Sequence, residues 1–369
     1  EGLFARAADV LAQAGSGRID RRVISDFLKM YADKDLIILA ERVGRLPQTL
    51  QATLQVASVE GELFTAEVAA RACATSAQEM LGRLSGELDR KHRLISAQSI
   101  LRMGEEFLSR YRFRHILFQK YLYSSLDEVE RAHLHEQVGN ALEGLYAIPE
   151  QAAVIAPQLA LHFQKAHITE KAVHYLHLAG ERALNLSAYQ EAIAHLTSGL
   201  NLLLTLPDSP ARAQQELTLQ VSLGLCYKVF TSDPQGIEHL LRARDLCQQM
   251  EKITQLCRVV GELSIHYFVM AEYQKARELA EEALSFAEQS GDELLLAVSH
   301  WHLGFVLFGL GDFTKARAHF QQVTCSYDPQ RHHHPLLALR GVDVGVSSMA
   351  YDSACLWCLG YPDQSSKRS

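Results

Sequence analysis

The sequence is short of proline, has an odd and scattered set of cysteines, contains no long apolar run and carries no excess of positive charge. Each shortage removes a class of protein. No apolar stretch approaches the ~20 residues that a bilayer-spanning helix requires, and the opening EGLFARAADV is not a secretory signal. The seven cysteines, at positions 73, 226, 247, 257, 325, 355 and 358, do not form the framework of a secreted disulfide scaffold. Both observations agree with a reducing, cytoplasmic location. A net charge of -7 gives no general affinity for nucleic acid or for an anionic membrane surface. No phosphate loop is present, because Gly15-Ser16-Gly17 runs into Arg18-Ile19-Asp20 instead of the required lysine and hydroxyl. The signatures of serine hydrolases, zinc proteases and kinases are missing too. No catalytic residue, cofactor or metal is therefore expected. The first residue is Glu1 rather than methionine, so the chain is expected to be part of a larger protein.

What is present is an ordinary folded composition, 48% hydrophobic and 21% charged. A length of 369 residues exceeds what one compact core serves and calls for two or three domains or an extended repeat array. Nine prolines in that length favour helices. One region departs from helical periodicity, RLISAQSIL (93–101) and SRYRFRHIL (109–117) around an acidic, glycine-containing turn. In the second segment Tyr111, Phe113 and His115 alternate with Arg110, Arg112 and Arg114, the period of a half-buried strand. The pair predicts a β-hairpin. Segments 47–61, 64–72 and 76–94 before it have apolar residues at three- and four-residue spacing and predict three helices. Three helices closed by a hairpin predict a winged helix.

Beyond residue 128 helix follows helix, and four stretches align. Each opens on a small residue, Gly180, Gly224, Ser264 or Gly304, at separations of 44, 40 and 40 residues by subtraction. Twelve residues on stands Ala192, Gly236, Ala276 or Ala316, and four after that Leu196, Leu240, Ala280 or Phe320. Small residues at these offsets let two antiparallel helices approach while a larger side chain fills the space beside them. The clearest unit, WHLGFVLFGLGDFTKARAHF, supplies Trp301, Leu303-Gly304, the turn Gly311-Asp312-Phe313, Ala316 and Phe320. The pattern resembles the tetratricopeptide repeat (TPR) in a long form, the usual period being ~34 residues. The first unit's opening helix (169–186) also fits as the closing helix of an earlier pair, so its frame stays open.

Near the end, SACLWCLGYPDQSS holds a CxxC, Cys355 and Cys358, which suggests a redox or zinc site. Leu359-Gly360-Tyr361 matches the turn Leu310-Gly311-Asp312, however, and puts both cysteines in the last turns of a fifth opening helix. There the helix dipole opposes a thiolate, so packing cysteines are expected. His332, His333 and His334 are expected in a solvated loop inserted between units four and five. His133, His135, His174 and His177 are expected at a surface or interface. The hairpin arginines, with Arg90-Lys91-His92-Arg93, leave a DNA-binding alternative open, although Glu79, Glu87 and Asp89 share the preceding helix.

The order of YRFRHILFQKYLYSSL, RAHLHEQVGNALE, the EKAVHYLHLAGERALNL repeat and LWCLGYPDQ resembles the region after the ATPase core in bacterial signalling ATPases of the STAND type, many of which carry nucleotide cyclase, kinase or LuxR-type output domains. The resemblance spans residues 46–366. It implies a mainly α fold, a winged helix with a small β-hairpin followed by a TPR-like α-solenoid. It also implies a non-enzymatic interaction or sensor arm, whose partners are a protein or peptide ligand and the nucleotide-binding module of the same protein, with nucleic acid and membrane not expected. The layout that follows is 1–45 as the tail of an upstream module, 46–126 as the winged helix, 127–170 as connecting helices or a degenerate repeat, and 171–369 as repeats, the last truncated and expected to fray or self-associate. By resemblance to TPR modules the ligand groove is lined by opening helices, which makes Trp301, Phe305, Phe308, Phe268 and Lys228 the candidate contacts. Trp301 and Phe308 suit an inter-repeat core slightly better than a groove contact.

Overall fold

The computed structural model describes residues 40–103, 106–227, 234–340 and 342–367. The chain divides into two compact units, one of residues up to 149 with 161–168, the other of residues 150–160 with 169 onward. The expectation for residues 1–45 falls almost wholly outside the described residues.

The first unit begins with α1 (Gln48–Glu60), β1 (Leu63–Thr65), α2 (Ala66–Ala72) and α3 (Ala77–Leu81). Helix α3 continues through Gly82–Lys91 in a widened π form, in which the His92 N–H reaches back five residues to the Glu87 carbonyl. Ser76 caps α3 by accepting from the Glu79 N–H (3.2 Å). Strands β2 (Ile95–Met103) and β3 (Glu106–Phe113) follow. The sheet is antiparallel with order β1-β3-β2. Phe64 explains the third strand, which corrects the reading of 64–72 as all helix. Its ring is fully buried against Tyr111 (6.1 Å) and Phe113 (5.3 Å), whereas its neighbour Leu63 is exposed, so the chain alternates before Ala66 starts the helix. The hairpin strands lie two residues later and three residues earlier than their expected outer starts and closer together at the turn. Leu54, Val68, Leu84, Leu88 and Leu108 complete this core.

Helices α4 (Ile116–Ser125), α5 (Glu128–Leu145) and α6 (Pro149–Lys165) come next, α5 opening on a capping box between Asp127 and Glu130. His135, expected at a surface or interface, is buried in the first unit. Its Nδ1 is 2.9 Å from His162 Nδ1, and its Nε2 is 3.0 Å from the Tyr123 hydroxyl. Burial pushes both imidazoles below the usual histidine range.

The second unit is a stack of helical hairpins: α7 (Thr169–Asn185) with α8 (Tyr189–Leu203), α9 (Pro210–Tyr227) with α10 (Gln235–Gln249), α11 (Ile253–Val269) with α12 (Tyr273–Ser290), and α13 (Glu293–Gly309) with α14 (Phe313–Ser326). This is the mainly α, TPR-like architecture. The sequence offsets have a direct physical cause. A Cβ on Gly180 would stand 2.6 Å from Leu196, one on Gly224 2.5 Å from Leu240, and one on Gly304 2.8 Å from the Phe320 ring. Each large side chain occupies the volume its glycine leaves empty. In the third hairpin the partner is the small Ala280, and there the glycine is replaced by Ser264, whose hydroxyl bonds the Gly261 carbonyl (2.7 Å).

The hairpin turns repeat as well. Ser187, Ala271, Gly311 and Gly360 all take positive φ, between 58° and 87°. In each case the next N–H bonds a carbonyl five residues back: Ala188 to Ala183 (2.8 Å), Glu272 to Tyr267 (2.9 Å), Asp312 to Leu307 (3.0 Å) and Tyr361 to Leu356 (2.9 Å). That is a Schellman closure of the opening helix. The LGYPDQ turn is therefore the fourth of these described joints, linking α16 (Val344–Cys358) to the short α17 (Pro362–Ser366).

Between α14 and α16 lies α15 (Pro329–Arg340), which corrects the expected loop around His332–His334. Asp328 starts it by accepting from the Gln330 N–H (2.9 Å) just before Pro329, a residue preset for a first helical turn.

Candidate functional site

Successive opening helices stack through one recurring stripe. On α11 it is Cys257, Gly261, Ile265 and Phe268; α13 covers it with Ser299, His302, Phe305 and Gly309. Cys257 Sγ lies 3.4 Å from Ser299 Oγ, a Cβ on Gly261 would stand 2.6 Å from the His302 ring, and Phe268 meets Phe305 edge to face at 4.9 Å. The Phe268 ring also fills the place where a Gly309 side chain would be, 2.3 Å from its ideal Cβ.

On α13 the same stripe is Ala297, Trp301, Phe305 and Phe308, and α16 covers it. The indole Nε1 of Trp301 donates to Ser347 Oγ (2.9 Å), and the indole stacks on Phe305 at 5.2 Å. Tyr351 sits 5.6 Å from Phe305, 5.3 Å from Phe308 and 5.4 Å from Phe320. Phe268 and Phe308 each rest on the first residue of the following helix, Tyr273 and Phe313, both at 5.4 Å.

The structure thus brings Phe268, Trp301, Phe305 and Phe308 into one continuous aromatic cluster. Trp301 is buried at 7% exposure, and the three phenylalanines are half-buried, each keeping part of a ring in solvent. Lys228 lies outside the described residues. Tyr351 and Ser347 complete the cluster and were not singled out in the sequence. Their signal was available in the register, since Tyr351 stands where the preceding repeat has His302, but the inserted α15 lengthens that spacing to 49 residues and hides it.

The polar residues of the second unit are mostly committed to helix packing. Arg317 Nε donates to the buried Asp352 (3.0 Å), and Arg242 Nε to the buried Glu216 (2.7 Å). His300 and His319 face each other through their Nδ1 atoms at 3.0 Å, with His300 pushed down to about 4 by burial. Asp343 receives the Tyr327 hydroxyl and the His333 ring, both at 2.5 Å, while its other oxygen caps α16.

Cys355 is buried in α16 and its thiol is pushed up to about 12, first by burial and then by the neighbouring Asp352 charge; Cys358 is exposed on the last turn. A thiol in that state is protonated at neutral pH and a poor nucleophile or ligand. Among the described residues no three His, Cys, Asp or Glu side chains gather as a metal site, and no helix is long and apolar enough to cross a membrane.

The basic residues that kept DNA binding open sit on the first unit, and three of them are in ion pairs. Arg112 meets Glu62 (3.0 Å), Arg114 meets Asp89 (2.7 Å) and donates to the Ile95 carbonyl, and Lys91 meets Glu87 (3.3 Å).

Comparison with known proteins gives a match of residues 255–324 to the tetratricopeptide repeat family. No curated protein matches the chain. Among solved structures, a signal transduction ATPase with numerous domains (STAND) carrying a tetratricopeptide repeat sensor, from Pyrococcus horikoshii, is similar over 90% of this chain and 57% of its own, at 13% identity and a TM-score of 0.43. A Rap protein complexed with competence and sporulation factor is similar over 68% of this chain and 67% of its own, at 12% identity and a TM-score of 0.47. The apo quorum sensor NprR from B. thuringiensis is similar over 68% of both chains, at 12% identity and a TM-score of 0.44.

Proposed function

We propose that the second unit binds a protein or peptide partner on the face built by its opening helices. Phe268, Phe305 and Phe308 contact the ligand through their solvent-facing edges, Trp301 fixes them from behind, and Lys228 is the fifth proposed contact. The observation that carries this reading is that the stretch matching the tetratricopeptide repeat family, 255–324, is the stretch that holds all four aromatics. Half-buried aromatic rings held rigid by their neighbours lose little entropy on binding and offer large contact area, the usual make-up of a binding hot spot.

In this reading the chain is the sensor arm of a multidomain signal-transduction ATPase. Residues 46–126 are its winged helix, a reading supported by the element order helix, strand, helix, helix, strand, strand, and they rest on the nucleotide-binding module rather than on DNA. The paired arginines of the sheet favour that role over phosphate contact. No residue is placed in a catalytic role.

Panning a random-peptide library against the full chain tests the proposal. A selected peptide is expected to slow hydrogen exchange along α11, α13 and α16. Protection confined to the closing helices or to the first unit, or a failure to enrich any sequence, would refute it.

A further inference from the structure

Counted from the small residue that opens each repeat, the positions four before it and fifteen after it hold Leu176 and His195, Gln220 and His239, Val260 and Leu279, and His300 and His319 in the four hairpins. In the second hairpin the pair bonds across the two helices, with His239 Nδ1 2.7 Å from Gln220 Oε1. In the third, Val260 and Leu279 are buried core. The fourth puts an imidazole on both sides, Nδ1 to Nδ1 at 3.0 Å with ring centroids 5.3 Å apart. These three solutions answer acid differently. An apolar pair takes no proton, and a histidine that donates Nδ1–H to an amide oxygen makes the same bond when its ring is charged. Two imidazoles that meet through Nδ1 share one hydrogen between two nitrogens. One ring can be charged and the contact survives, but charging both sets two N–H donors and two positive charges against each other.

We propose that the fourth hairpin is closed by an acid-released clamp, His300 of α13 against His319 of α14, which lets α14 go when both rings become charged. The surroundings do little to accommodate the second charge. Burial and then the facing His319 push His300 down to about 4, and burial lowers His319 as well. The carboxylate that faces His319 is Glu281 of α12, and it is already bonded to Arg277 Nε (2.8 Å). The other charged groups on the packed helices are engaged elsewhere. Asp352 of α16 holds Arg317, Glu262 of α11 lies 4.0 Å from the His302 ring, Lys315 meets Asp312, and His333 of α15 is bonded to Asp343. Release of α14 reaches beyond its own hairpin. Phe320, next to His319, stacks on Tyr351 at 5.4 Å, and Arg317 binds Asp352, so α14 is the support on which α16 and the ring of Tyr351 rest. The clamp is a property of the hairpin and does not depend on the peptide reading.

The test is hydrogen exchange of the α14 amides in the full 369-residue chain at pH 7.5 and 5.5, with the intrinsic pH dependence of exchange divided out. Two imidazoles that return to about 6.5 in the open form contribute about 10-fold each over that range, and the one proton the closed pair can hold takes part of this back. The opening constant is therefore expected to rise by about 10- to 100-fold on acidification. His300→Val with His319→Leu copies the third hairpin and is expected to bring the rise below about 2-fold, since neither residue titrates. His300→Gln copies the second hairpin, keeps a bond across the helices, and is expected to reduce the rise to the square root of the wild-type value or less. A wild-type rise under about 3-fold, or a rise that persists undiminished in either variant, would overturn the proposal.

Discussion

A double-mutant cycle at Gly224 and Leu240 probes the joint that organises the repeats. In the native hairpin a Cβ on Gly224 would fall 2.5 Å from Leu240 Cγ and 2.8 Å from its Cδ2. The Cγ is a branch point and cannot swing aside, so Gly224→Ala must push α9 and α10 apart. Overpacking of this kind costs ~1–3 kcal/mol, against a gain of up to ~1 kcal/mol from replacing a mid-helix glycine by alanine. A net loss of about 1–2 kcal/mol is expected. Leu240→Ala alone leaves a cavity under a fully buried position and should cost about 2–5 kcal/mol. Together the two changes recreate the small-with-small pairing that Ser264 and Ala280 already use one hairpin later. The clash then disappears and the helix gain remains, so the double variant should be more stable than the sum of the singles by about 2–3 kcal/mol. A repeat array does not unfold as one cooperative step, so the assay is native-state hydrogen exchange of the α9 and α10 amides under mild denaturant. Additivity within about 0.5 kcal/mol would refute the reasoning, because it would mean that the glycine is not making room for the leucine.

Acid should destabilise the first unit through His135 and His162. Both are held neutral by burial in the fold but protonate near 6.5 when unfolded, so the unfolded state gains protons first and stability falls as pH drops below about 6.5. Urea midpoints followed at Tyr123 and its neighbours between pH 7.5 and 5 check the sign; a flat profile would contradict it. Ala271→Gly should stabilise the α11–α12 hairpin by about 1 kcal/mol, since alanine at φ 61° carries left-handed strain that glycine lacks. A lower melting temperature for that variant would show the turn is not strained. Gel shifts with duplex DNA at low salt should show no retardation by the first unit, and a salt-sensitive shift would revive the DNA-binding reading.

The repeats were legible because their physics is pairwise and periodic. A small residue and the apolar partner it accommodates sixteen residues later leave a trace in one sequence, and four such traces fix a register. The sheet of the first unit was legible in outline from the alternation around Tyr111 and Phe113. Its third strand was not, because three residues are too few to display a period, and the fact that Phe64 is buried and Leu63 exposed emerges only when β3 is in place. Residues 329–340 were misread for the opposite reason. Three consecutive histidines and two prolines suggest a loop by composition, whereas one aspartate cap and a proline at the first turn suffice to start a helix. The aromatic candidates were named by type and position, but their mutual geometry depends on Tyr351 and Ser347. Those residues come from the far side of an insertion that interrupts the very period by which they would be recognised.

The chain has two tryptophans, and the structure puts them in opposite surroundings. Trp301 is wedged between helices with its N–H bonded, whereas Trp357 stands in water on the last repeat. Intrinsic fluorescence is therefore a ready-made two-channel optical readout. Quenching by iodide samples Trp357 alone, while the blue-emitting, quencher-resistant component reports only on the seam between α13 and α16. The first unit is dark at these wavelengths, so an unfolding curve followed by tryptophan emission describes the far end of the repeat stack and says nothing of the sheet.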